Sequence, residues 1–222
     1  KAAIVLGSWT FVYYGLKHLP LSIVSPIRAT APIWTLIGAL IIFSERPNGI
    51  QWIGLIVTLA FFFLFSFAGK REGINFKANK WVWFVIVGTL IGSCSALFDK
   101  YLINSVGMPR MSILCYYSFY QVLLNIPMLF ILWYPVRKTE VFNWKWTIPM
   151  IGVMIIIADF LYYGALDADG SMISLISPLR RSNSLVAFIL AALIFKERNL
   201  LRKGLCLIGI LTGIAIIVWG SL

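Results

Sequence analysis

Residues 21–46 read LSIVSPIRATAPIWTLIGALIIFSER, and residues 173–198 read ISLISPLRRSNSLVAFILAALIFKER. The two windows align without a gap at an offset of 152. Ser25-Pro26-Ile27-Arg28 falls on Ser177-Pro178-Leu179-Arg180, and Phe43-Ser44-Glu45-Arg46 falls on Phe195-Lys196-Glu197-Arg198. Shared hydrophobicity matches Ile with Ile. It does not place a proline, an arginine inside an apolar run and a terminal Glu-Arg at one spacing. Upstream, Phe11-Val12-Tyr13-Tyr14-Gly15 matches Phe160-Leu161-Tyr162-Tyr163-Gly164, with three extra residues in the second copy. The chain carries an internal duplication, and a duplication of this size governs the architecture.

Both windows lie in apolar sequence. Of the 222 residues, 60% are hydrophobic and only 12% charged, against about 25% charged in an ordinary soluble domain. A helix needs about 20 mostly apolar residues to cross the hydrocarbon core. Eight segments meet that length, some marginally: 2–16, 21–44, 50–68, 81–103, 111–134, 147–166, 171–195 and 201–222. They are numbered spans 1 to 8 here. The fold expected is all-α, a polytopic transmembrane helix bundle. Separators such as Glu45-Arg46-Pro47-Asn48-Gly49 are short and polar, and only 69–80 and 135–146 are longer. Trp81, Trp83, Trp133, Trp144 and Trp146 gather at span ends, where amphipathic rings favour the headgroup layer. Gly88, Gly92 and Ala96 recur every fourth residue in span 4, as Gly209 and Gly213 do in span 8, a pattern that lets helix backbones approach in lipid.

Spans 1–3 correspond to spans 6–8, so spans 4 and 5 open the second copy without partners. The expected division is a first repeat over 1–68, an inter-repeat loop over 69–80 and a second repeat over 81–222. A complete protein would then have ten spans, five per copy, with the first two preceding this sequence. An odd number of spans inverts the second copy, and inverted repeats with a midplane site recur among secondary transporters. The loops after spans 1, 3, 5 and 7 hold twelve Lys and Arg, whereas the opposite side holds four: Lys1, Arg46, Lys100 and Arg110. The positive-inside rule puts the first set in the cytoplasm.

The Ser-Pro-x-Arg helix ending in Phe-x-Glu-Arg, twice in one chain, resembles the EamA group of the drug/metabolite transporter superfamily. The resemblance runs from the third of the usual ten helices onward. It implies a carrier of small organic solutes with a central cavity between two repeats. It also implies both termini in the cytoplasm, the reverse of what the charge count gives for the C-terminus.

A charge at a helix centre in lipid costs about 2.5–3.5 kcal/mol on insertion scales, so such groups face a cavity or a partner. Arg180 and Arg181 fall mid-span, with Arg28 at the matching place in the first copy, and Asp159 lies two-thirds along span 6. One Asp can pair with one arginine but cannot neutralise three, and the surplus suits an anionic solute group held by a guanidinium fork. A structural reading stands beside it, in which Asp159 pairs with one arginine and the others reach the interface. Pro26 and Pro178 precede the arginines by two residues and are expected to interrupt their helices, as transport sites often require. Asp159, Tyr162 and Tyr163 share a face at i, i+3 and i+4. Ser118, Gln121 and Asn125 make a second polar stripe, readable as site or as interhelical glue. Ser182, Asn183 and Ser184 extend the polar character of span 7. Asp99 and Asp159 are the residues suited to carry a coupling proton. Lys100 is expected to reach the interface, and Glu45-Arg46 and Glu197-Arg198 to act as caps and loop ion pairs.

Several classes are disfavoured. The net charge of +11 is distributed over short loops rather than one solvated patch, which argues against nucleic acid and for membrane topology and anionic lipid. Cys94, Cys115 and Cys206 lie in apolar runs without metal-ligand spacing and read as small buried hydrophobes. His18, the single histidine, sits in a short loop, and no phosphate-cradling glycine loop is present. No catalysis, metal or cofactor is expected. The leading reading is a secondary transporter of a small metabolite with an anionic group, in a bacterial inner (plasma) membrane. Its partners would be a small-molecule solute and membrane lipids, with room for a homodimer. The alternatives are a broad-specificity exporter of drugs or amino acids, and a non-transporting scaffold or lipid-binding protein.

Overall fold

A computed structural model describes residues 1–19, 21–67, 79–134, 144–168, 170–181 and 200–220. Among these residues all regular structure is helical, with no strand. The helices are α1 (Ala2–His18), α2 (Leu21–Ala29), α3 (Ala31–Ile42), α4 (Gly49–Phe67), α5 (Lys80–Lys100), α6 (Arg110–Met128), α7 (Thr147–Asp167), α8 (Ile173–Arg181) and α9 (Leu200–Trp219). Helices α5 and α6 continue into π-helical turns over Tyr101–Ser105 and Leu129–Trp133.

Three described segments are long and apolar enough to cross a membrane: Lys80–Ser105, Arg110–Ile131 and Thr147–Asp167. The stretches Ile27–Ile42, Gly49–Leu64 and Ile208–Trp219 are shorter apolar helices. The outward surface agrees with a lipid solvent. Phe119, Val122, Phe130, Ile131, Ile151 and Val153 are all exposed, a surface that water would not tolerate. Cys94 and Cys115 are exposed too, against the expectation that apolar context meant burial. In lipid an apolar neighbourhood does not distinguish the inside of the bundle from its outside.

Small residues set the closest crossings. Helix α4 runs along α9, and a Cβ placed on Gly213 would stand 2.7 Å from the backbone nitrogen of Thr58. A Cβ on Gly88 would stand 3.0 Å from the Ser8 carbonyl, where α1 packs on α5. Ser8 Oγ uses that approach to donate to the Gly88 carbonyl at 2.7 Å. Helix α3 packs on both α5 and α8.

Span 2 is one apolar run in sequence but two helices in space. Its interruption falls at Thr30, four residues beyond the expected Pro26, which lies within α2. Pro32 explains the position. It has no N–H to offer the Arg28 carbonyl, and the ladder passes to i→i−3 bonds from Thr30 N to Ile27 O (3.1 Å) and from Ile33 N to Thr30 O (2.9 Å). The Thr30 hydroxyl also donates to Ile27 O, and Ser93 of α5 donates to Ala31 O at 3.1 Å, tying the bend to its neighbour. Pro178 lies inside α8, which runs through it to Arg181.

Candidate functional site

A cavity of about 490 Å³ opens between α1, α2, α3, α5, α6, α7 and α8. Five charged residues line it, Lys1, Arg28, Asp99, Asp159 and Arg180, among serine and threonine hydroxyls. Aromatic walls come from Trp9, Tyr117 and Tyr162.

Arg180 on α8 and Asp159 on α7 meet at 2.6 Å, with Asp159 buried and the Arg180 side chain 49% exposed to the cavity. The guanidinium lies over the Tyr162 ring, 4.1 Å from its centroid. The i, i+3 spacing of Asp159 and Tyr162 produces this: one turn of α7 presents a carboxylate and a ring face to the same cation.

A second pair joins Lys1 Nζ to Asp99 Oδ1 at 2.9 Å, both nearly enclosed. The ammonium also sits over Tyr117 (4.2 Å) and Tyr163 (4.4 Å). The charge count places Lys1 among exterior loop charges, whereas its side chain enters the cavity. Its place immediately before an apolar run mimics a loop. The signal available was Asp99, an acidic group in span 4 that had no partner in the sequence reading.

Arg28 faces the same cavity and is exposed to it. It has no hydrogen bond or ion pair to any described residue. The three cations of the lining thus differ, since two are held by carboxylates and one is open.

The other expected site residues divide. Tyr163 is fully buried in the core cluster with Leu97, Ile113, Leu166 and Ile173, so it forms floor rather than lining. Its neighbour Tyr162 lines the cavity because adjacent helical positions point about 100° apart. Gln121 and Asn125 do not line it. Asn125 is exposed and donates to the Gln121 carbonyl at 2.9 Å, its own helix satisfying it. Tyr117, one turn earlier on α6, is the residue that reaches the cavity. Asn183 lies outside the described residues, as does the side chain of Arg181.

Beside the cavity lies a junction that the sequence reading placed at the surface. Lys100 does not reach the interface. It is buried and ion-paired with Glu45, and it donates to Ser171 O at 2.9 Å. Glu45 accepts from Ile173 N (2.8 Å), Ser174 N (3.0 Å) and the Ser174 hydroxyl, capping α8 from the end of α3. Ser44, with φ 51°, supplies the left-handed residue that turns the chain after α3. The expectation of a cap was right in kind for Glu45, but the capped helix is α8, far away in sequence.

The family model described as EamA-like transporter family matches residues 2–67. That stretch, which holds α1 to α4, is similar to the EamA-like transporter family. Among curated proteins none matches the chain. Sixteen chains of solved structures resemble the fold. One crystal structure superposes with a TM-score of 0.75 at 14% identity, covering 96% of this chain and 73% of its own. At that identity the likeness is one of fold. The apolar helices, together with the match over residues 2–67, make this an integral membrane protein.

Proposed function

We propose that this EamA-like protein is a secondary transporter of a small organic solute bearing an anionic group. It would work by alternating access between two inverted repeats. Arg28 carries the anionic part of the reading: a guanidinium open to an intramembrane cavity, with no protein counter-ion among the described residues. Such a charge is costly in a low-dielectric site unless a ligand completes it. Arg180 and Tyr162 add a second cation and a stacking face within the same space. Two observations support alternating access. Helices α3 and α8 come from the paired windows of the duplication and pack on each other, and α4 and α9 are likewise counterparts and neighbours. The basic excess in the loops after odd-numbered spans supports a plasma-membrane orientation with those loops in the cytoplasm.

The test is thermal unfolding of the purified chain in detergent, titrated with small carboxylates and organic phosphates. A saturable rise in Tm with an anion is expected, with Arg28→Gln weakening the apparent affinity by about tenfold or more. An identical titration in Arg28→Gln would remove the anion site. No response to any solute, with no flux in proteoliposomes, would favour a scaffold.

A further inference from the structure

We infer that the cavity is built for monoanions and that Asp159 is the residue that sets this limit, an inference that rests on the anion-transport reading above. Among the described lining residues, three cations face two carboxylates, leaving one unit of positive charge. A monoanion at Arg28 brings the cavity to neutrality. A dianion would leave one negative charge uncompensated beside Asp99 and Asp159, both buried. Like charges in a water-poor site repel strongly enough to exclude a wrong ligand.

The two pre-paired cations are not equally available to a second anionic group. Lys1 is closed in: its side chain is 10% exposed, with Asp99 at 2.9 Å and two tyrosine rings over the ammonium. Arg180 is open, with its side chain half exposed to the cavity and Asp159 on one nitrogen of the fork. Asp159 therefore occupies the place that a second carboxylate would take. Removing its charge, and not that of Asp99, should admit dianions.

Isosteric probes isolate charge from shape: succinamate against succinate, and terephthalamate against terephthalate, at neutral pH, bound to the detergent-purified chain and followed by calorimetry. In the wild type the monoanion of a pair binds about tenfold tighter or more. Asp159→Asn raises dianion affinity by about tenfold, and adding Arg180→Gln abolishes that gain. Asp99→Asn leaves the ratio within about twofold, because Lys1 stays shielded by its two rings. A wild type that prefers the dianions overturns the inference while leaving anion binding intact, as does an unchanged ratio in a cooperatively folding Asp159→Asn. The wild-type ratio needs no variant, so it decides the matter even where Asp159→Asn fails to fold. If neither member of either pair binds, the anion reading falls and takes this inference with it.

Discussion

Asp99 and Lys100 are neighbours in sequence, yet each belongs to a different electrostatic region. Asp99 turns into the cavity and meets Lys1, whereas Lys100 turns to the junction and meets Glu45. The regions differ in how completely each carboxylate is enclosed. Glu45 is surrounded by two backbone N–H groups, a hydroxyl and an ammonium, all from α8 and α5. Asp159 has one guanidinium that is itself half exposed. A buried charge ringed by donors is a cross-link between helices. A charge paired with a half-open partner can trade that partner for a ligand. The same chemical pair, a carboxylate with a cation, is therefore enclosed in one place and half open in the other.

That contrast is most directly broken at Glu45. Glu45→Gln keeps the shape but strands the Lys100 ammonium in a dry site, and unfolding in detergent should lose about 3–5 kcal/mol. Adding Lys100→Met should recover most of it. If Glu45→Gln unfolds like the wild type, the junction is not a cross-link. Ser174→Ala removes one hydroxyl from the Glu45 carboxylate and leaves its backbone donor in place. A loss of about 1.5 kcal/mol in the same assay is expected, as for a hydrogen bond to a charged group. The smallest effect belongs to the cavity. Asp159→Asn leaves Arg180 half exposed and able to be solvated, so its stability cost should stay under about 1 kcal/mol. A loss as large as that of Glu45→Gln would make the two regions equivalent and the contrast empty.

Much of the site was legible because charges are conspicuous in apolar sequence. Arg28, Asp159 and Arg180 stood out inside spans, and helical spacing put Tyr162 beside Asp159. The cavity lining includes all four. What escaped lay at span ends. Lys1, Glu45 and Lys100 each border an apolar run, where polar residues ordinarily mark loops, and nothing local distinguishes an end that is solvated from one that another helix covers. Glu45 and Ser174 are separated by 129 residues, so only the folded chain reveals that one caps the other. The polar stripe of α6 failed for a different reason. Asn125 satisfies itself on its own helix, which makes a polar residue tolerable on a face that does not line the cavity. The proline reading went astray by one turn, because Pro32 governs the bend and Pro26 was the residue highlighted by the repeat.

The bend itself carries a mechanical meaning. A straight helix in lipid cannot flex sharply without stranding carbonyls that no water is present to satisfy. At Thr30 the ladder is already rerouted, with the Thr30 hydroxyl donating to Ile27 O and Ser93 to Ala31 O. The segment bearing Arg28 thus meets α3 at a break in the ladder that its own i→i−3 bonds and neighbouring hydroxyls already satisfy.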